Sequence, residues 1–467
     1  MNNRRKYLLK NTVLFAISNF SNKLGMFFLI PLYTWSLSTS EYGIADLLVT
    51  VCSFLYPLLT LNIIEAVFRF SMDKDKNEDK IIANGILCNA LCIVLGLLLI
   101  PILKHIDGYS DYAYVYYIYV VSVAMAQTSL AFLKGQERLK HFSIGNIINI
   151  CLLVIMSIVF LIVCKLSVFG FFLAYIVANV TTIIYCVFAG KIRIKFSKEC
   201  FDKKLLKTML KYSIVLIPTS FMWWIINSSD RIMIASFIGE GANGLYAVSY
   251  KLPSLLTMLA TIFNQSWVFS AMNERESKDY EKYTNDVFSK LMIVLSLSAI
   301  ILLGALKPIF GIYVAPDFFD AWKYVPFLIF GFLFMTLATF ISTSYNVHKD
   351  SKGFLFSGLA GAIINIVLNF AFIPMLGIYG AALATVCSYI AVFAYRIIDT
   401  RKYVKIHFSI QHVLLLGIVL VSCFVTYLES YIGAIWCLAV VVMILIYYRK
   451  TIKNIFGIVK RKILHKK

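Results

Sequence analysis

The feature that most constrains this fold is a succession of apolar stretches, each about 20 residues long, that runs with short polar breaks from residue 11 to residue 448. The stretches cover 11–37, 44–67, 81–103, 112–133, 143–164, 168–189, 212–238 and 245–271, then 287–306, 322–346, 354–374, 379–395, 409–427 and 431–448. Hydrocarbon offers no water to satisfy a backbone N–H or C=O, so a chain that crosses it repeatedly must do so as helices of about this length or as a closed barrel. The expectation is an all-α integral membrane protein with about fourteen transmembrane helices. With 60% hydrophobic and 15% charged residues, against about a quarter charged in soluble domains, the apolar surface must face lipid. Little length remains for a soluble domain.

The net charge of +20 is explained by its placement. Of 44 Lys and Arg, 37 fall in alternate segments, 1–10, 69–80, 134–140, 191–211, 275–290, 349–352, 396–405 and 449–467. Short cytoplasmic loops are enriched in these residues. The imbalance therefore predicts an even number of spans, with both termini and the 191–211 loop cytoplasmic, and basic flanks facing anionic membrane lipids. No basic groove interleaved with aromatics appears, so nucleic acid is not an expected partner. Arg4, Arg5 and Lys6 precede an apolar run as in a signal peptide, but Lys23 interrupts that run and no small-residue cleavage site follows. Ten cysteines include no CxxC pair, and six scattered histidines form no HExxH. No metal or other cofactor is expected.

Two internal echoes suggest a duplicated architecture. The segment from Ser40 to Asp46, opening helix 2, resembles that from Ala242 to Ala247, opening helix 8, with Gly43 and Gly244 at an offset of 201. A second echo relates Ser143–Gly170 to Gly353–Gly380 at an offset of 210, where Phe169 and Gly170 match Tyr379 and Gly380. The expected organisation is an N-lobe of six helices over 1–190, a cytoplasmic inter-lobe loop over 191–211 and a C-lobe of six helices over 212–398. Helices 13 and 14 follow over 399–448, and a basic cytoplasmic tail over 449–467 ends the chain.

Charge inside a span costs about 2.5–3.5 kcal/mol on insertion scales, so each such residue needs a lumen or a partner. Lys23 lies mid-helix 1, Asp46 early in helix 2, Asp230 and Arg231 in helix 7, and Lys251 early in helix 8. Counted from the repeat glycines, Lys23 and Arg231 are about two turns apart, and Asp46 and Lys251 about one turn. Four repeat-related helices thus direct charge the same way. A water-filled cavity accounts for this; snorkelling or pairing with a nearby acid is the alternative. Glu65 and Arg69, at i and i+4, read as a helix-end ion pair. Pro57, Pro218, Pro253 and Pro326 are candidate kinks. Asn227, Ser228, Ser229, Asn264, Gln265 and Ser266 would face the lumen or bond between helices. Trp223 and Trp224 would stack on sugar or pack the helix.

In these residues the chain resembles the bacterial polysaccharide transporters, the flippases for O-antigen, capsule and teichoic-type repeat units. The resemblance is carried by Ser40–Asp46, by Ser229-Asp230-Arg231 with Phe237-Ile238-Gly239, by Gly244–Leu252, and by Leu376–Ala382. It implies two pseudo-symmetric six-helix lobes around a central cavity lined by helices 1, 2, 7 and 8. It implies a cargo of undecaprenyl-diphosphate-linked glycan, moved by alternating access from the cytoplasmic to the outer leaflet of a bacterial cytoplasmic membrane. Lys23, Arg231 and Lys251 would then hold the diphosphate and any acidic sugars. Asp46 and Asp230 would carry a coupling proton or sodium ion, or balance neighbouring bases. A polysaccharide polymerase and other assembly proteins are further partners of such a system. No Walker A motif is present, which argues against direct use of ATP.

Three other functions compete. A multidrug exporter of the same superfamily takes mostly cationic cargo, which a basic lumen disfavours. A peptidoglycan-precursor flippase would share both cationic site and undecaprenyl carrier. A membrane-embedded polymerase or ligase needs an extracytoplasmic catalytic loop, yet the longest outer loop, 307–321, has no histidine and only Asp317 and Asp320 as acids.

Overall fold

A computed structural model describes residues 21, 25–73, 77–190, 192 and 202–449. Lys23, residues 191 and 193–201 of the inter-lobe loop and residues 450–467 of the basic tail lie outside the described residues. The chain is an all-α integral membrane protein, with no strand among the described residues. Among them, nine helical segments are long and apolar enough to cross a membrane, and two shorter apolar helices, Ile410–Val425 and Tyr431–Tyr447, follow.

Two compact units divide at Gly244. The first holds α1 (25–36), α2 (Thr39–Leu59), α3 (Ile63–Ser71), α4 (Glu78–Gly96), α5 (Leu99–Lys104), α6 (Ala113–Gly135), α7 (Leu139–Ser157), α8 (Ser167–Phe188) and α9 (Lys203–Phe237). It ends in the first turn of α10 (Glu240–Ser249). The sequence places the start of helix 2 near residue 44, but α2 begins at Thr39 because Ser38 and Glu41 form a capping box that satisfies two orphan N–H groups. The same apolar stretch breaks at Leu61 and Asn62, both left-handed, into α2 and α3. Pro57 sits just before that break, inside α2, whereas Pro326 lies in the first turn of its helix, where proline is tolerated.

α9 runs 35 residues and packs along α2, α3 and α4 within the first unit. Its N-cap Asp202 accepts from the N–H groups of Leu205 and Lys204 at 3.0 Å, with Lys80 at 3.4 Å. The Leu205 N–H foremost, with Lys80 adding to it, holds this carboxyl below its usual range. One turn on, Met209 enters an apolar cluster with Ile63, Val67 and Phe70 of α3 and Ile81 and Ile82 of α4.

The first echo becomes physical at the start of α2. A Cβ at Gly43 would lie 1.8 Å from the Glu240 carbonyl oxygen, and a Cβ at Gly244 would lie 2.0 Å from that of Thr39. Thr39 and Glu240 stand at the same offset as the two glycines, so each helix start presents the same glycine to the same carbonyl of the other. This two-way contact is what a pseudo-two-fold relation between the repeats requires, and only Gly permits backbones so close. Asn243 adds a bond from Nδ2 to the Gly43 oxygen at 2.8 Å. In the second echo, Cβ positions at Gly170 and Gly380 would meet carbonyl oxygens of the helical segment before each, those of Phe160 and Phe372, at 3.0 and 2.2 Å.

The second unit continues α10 into α11 (Lys251–Glu274), α12 (Tyr280–Gly304), α13 (Leu306–Tyr313), α14 (Val325–His348), α15 (Ser351–Leu376), α16 (Ile378–Asp399), α17 (Ile410–Val425) and α18 (Ser430–Tyr447). α14, α15 and α16 pack on one another, α11 lies on α14, and α17 and α18 lie on α12. Arg396, counted in sequence with the loop basics, is instead only 1% exposed in α16. Its Nε donates to Ser357 Oγ at 3.0 Å and its Nη1 to the Ala338 carbonyl at 2.9 Å, tying three helices together.

Candidate functional site

The in-membrane charges of the first unit converge where α2 crosses α9. Asp46, Thr50 and Phe54 recur at intervals of four along α2, and Phe221, Trp224 and Arg231 at intervals of three and seven along α9, so each set shares one helix face. Arg231 Nη1 donates to Asp46 Oδ2 at 2.8 Å and to Thr50 Oγ1 at 3.0 Å. The Arg231 side chain is 15% exposed and that of Asp46 7%. Asp230 is buried and its Oδ1 accepts from the Arg231 backbone N–H at 3.0 Å.

Taking two charges out of water costs several kcal/mol per ion, and their attraction offsets this only when geometry is good and other hydrogen bonds help. Here the contact is short and Thr50 supplies a second oxygen to the same nitrogen. The cluster of Asp46, Asp230 and Arg231 carries one positive and two negative groups, so as assembled it is not a cationic patch. Asp46 and Thr50 both take the same nitrogen, Nη1, and a phosphate suits a guanidinium because it offers it several charged oxygens.

Below the ion pair the two faces continue as a ladder of rings. Trp224 Nε1 donates to the Thr50 carbonyl at 2.9 Å, fixing the indole. Phe54 lies 5.0 Å from Trp224 and 5.1 Å from Phe221, and Phe221 and Trp224 are nearly parallel, 12° apart in plane. Thr50, Phe54 and Phe221 were not singled out by sequence; their signal was the spacing of four from Asp46 and of three from Trp224.

Of the remaining sequence-nominated residues, Lys251 opens α11 in the second unit, partly buried. Lys23 lies outside the described residues. Arg69, expected to pair with Glu65, is taken by Asp73 at 2.8 Å; the two acids lie four residues to either side of it, and Asp73 lies in the polar segment beyond the helix.

A multi-pass helical chain with a charged helix crossing inside its membrane-spanning region and repeat-related helix starts is, as a class, an integral membrane protein with a polar site inside its helical bundle. The chain belongs to the polysaccharide biosynthesis protein family, whose profile matches residues 8–272. It is 26% identical over 424 residues to an uncharacterized membrane protein of Methanocaldococcus jannaschii, covering 85% of this chain and 99% of that one. Among solved structures, the lipid II flippase MurJ in an inward closed conformation superposes with a TM-score of 0.72 at 18% identity, over 94% of this chain and all of that one. An inward-facing multidrug resistance MATE family transporter of the MOP superfamily superposes at 0.61 with 12% identity, over 83% and 94% of the two chains. The fold is thus one used by both a lipid flippase and a drug transporter.

Proposed function

We propose that this chain is a flippase that moves undecaprenyl-diphosphate-linked oligosaccharide repeat units across the cell membrane, by alternating access, for a surface polysaccharide such as O-antigen, capsule or a teichoic-type polymer. The observation that carries the reading is Arg231, held inside the helical bundle by Asp46 and Thr50. Family membership and the fold shared with a lipid II flippase support it.

In this reading both termini are cytoplasmic and the lobes are 1–190 and 212–398, with residues 399–448 added. Lys23 and Lys251 join Arg231 as the residues that meet the diphosphate. The diphosphate displaces Asp46 from the guanidinium, and Asp46, so released, takes up a proton or a sodium ion with Asp230. The cation taken up there offsets part of the negative charge that the diphosphate brings. Transport is the whole activity; no covalent step is assigned to the chain.

A peptidoglycan-precursor flippase is the second reading, favoured by the 0.72 superposition on a lipid II flippase. Deleting the gene and measuring surface glycan together with lipid-linked intermediates separates the two. Accumulated oligosaccharide-linked carrier with normal peptidoglycan supports the first. Normal surface glycan sinks it, and full complementation by both Lys23→Ala and Arg231→Ala removes the proposed site.

A further inference from the structure

We infer that Phe54, Phe221 and Trp224 form a sugar-stacking subsite that reads the first sugars of the cargo while Arg231 holds its diphosphate. The inference rests on the flippase reading and deepens it. Three observations converge. The rings lie on the same faces of α2 and α9 as Asp46 and Arg231, so the charged and aromatic parts form one continuous surface. A face carrying an ion pair does not turn toward hydrocarbon.

The rings are also placed to receive a ligand. Phe221 is 40% exposed and Trp224 and Phe54 are only partly buried, although all three are large apolar side chains. Trp224 cannot swing away freely, because its Nε1 is bonded to the Thr50 carbonyl of the neighbouring helix at 2.9 Å. Its plane is thereby fixed nearly parallel to Phe221. A pyranose offers a face of C–H groups that packs on such a ring, while its hydroxyls stay at the edge to find water or polar partners.

The spacing fits one molecule reaching both parts. Trp224 precedes Arg231 by seven residues, a rise of about 10.5 Å along the helix. A diphosphate followed by one or two sugars spans about the same length. Thr50 joins the two halves, giving its hydroxyl to Arg231 and its carbonyl to Trp224.

The test uses purified full-length protein in lipid nanodiscs and two probes, undecaprenyl diphosphate alone and the same carrier bearing one hexose. Wild type should bind the hexose-bearing probe more tightly, and Trp224→Leu should reduce that preference by about tenfold, the order expected for one lost aromatic contact. Affinity for the bare carrier should stay unchanged. Trp224→Phe, which keeps a ring but loses the Nε1 bond, should retain most of the preference. An intact preference in Trp224→Leu overturns the subsite, as does an equal loss for both probes, which would mark a packing role. If wild type binds neither probe, the flippase reading itself fails and the subsite falls with it.

Discussion

Among the described residues, Arg396 and Arg231 both sit inside the helical bundle, and their surroundings differ. Arg396 is 1% exposed, and its guanidinium bonds to neutral oxygens from α14 and α15. Arg231 keeps 15% of its side chain exposed, is matched by a carboxylate, and continues into partly exposed rings. The first is a rivet: no ligand can reach it, and every bond it makes joins helices of one unit. The second is partly exposed, and in the proposed reading the partner it holds is the one the diphosphate replaces. Burial of charge in a membrane protein therefore does not by itself mark a site; the exchangeability of the partner does.

The contrast predicts opposite phenotypes. Arg396→Ala should lose about 3 kcal/mol of stability, from the cavity left and the two oxygens stripped of their donor. It should appear as a large fall in the melting temperature of solubilised protein and low yield. A variant melting like wild type would show that α14, α15 and α16 do not depend on it. Arg231→Ala should instead lower transport at least about tenfold with a smaller change in melting temperature. If the two variants behave alike, the distinction between rivet and site is lost.

The contact between helix starts sharpens the comparison, because it lies on the same α2 as Asp46 but carries no chemistry. Gly43→Ala would drive a methyl into the Glu240 carbonyl and should cost about 1–3 kcal/mol by overpacking. Binding of undecaprenyl diphosphate to the molecules that remain folded should be unaffected, so a specific loss of affinity would contradict this division of labour.

The smallest effect belongs to the rim of the α14–α16 scaffold. Asp350 caps α15 by accepting from the Gly353 N–H at 2.9 Å, and Lys402 at 3.0 Å and the Tyr403 hydroxyl add to this. Together they pull its carboxyl down to about 2, with the Gly353 bond the largest cause. A folded value below the ordinary carboxylate value of about 3.9 contributes stability above that pH, and the contribution fades as pH falls toward 2. Asp350→Asn should therefore melt slightly below wild type at pH 7, with the gap closing on acidification. A gap independent of pH would assign the effect to shape.

Much of this was legible in the sequence, and the parts that were not have physical reasons. Apolar stretches of span length mark helices because lipid imposes the length, and the glycine echo at Gly43 and Gly244 survived as an identity because the carbonyl contact tolerates no side chain. The broken helix after Pro57 was not legible: the left-handed turn at Leu61 and Asn62 sits in a stretch whose hydropathy does not change. Arg396 was misread because four basic residues in 396–405 look like one loop, and only packing shows that the first belongs to the interior. Asp46 and Arg231 were each nominated for being charged within a span, but their pairing across 185 residues, and the role of Thr50 and Phe54 beside them, needed the crossing of α2 and α9.

The central claim is that Arg231 is shared in turn between Asp46 and the diphosphate of the cargo, and binding of undecaprenyl diphosphate to wild type, Asp46→Asn and Arg231→Ala tests it most directly. Removing the competing carboxylate should tighten binding by about tenfold, while removing the guanidinium should abolish it. Binding that is unchanged or weakened in Asp46→Asn, or that persists at wild-type strength in Arg231→Ala, would contradict the account.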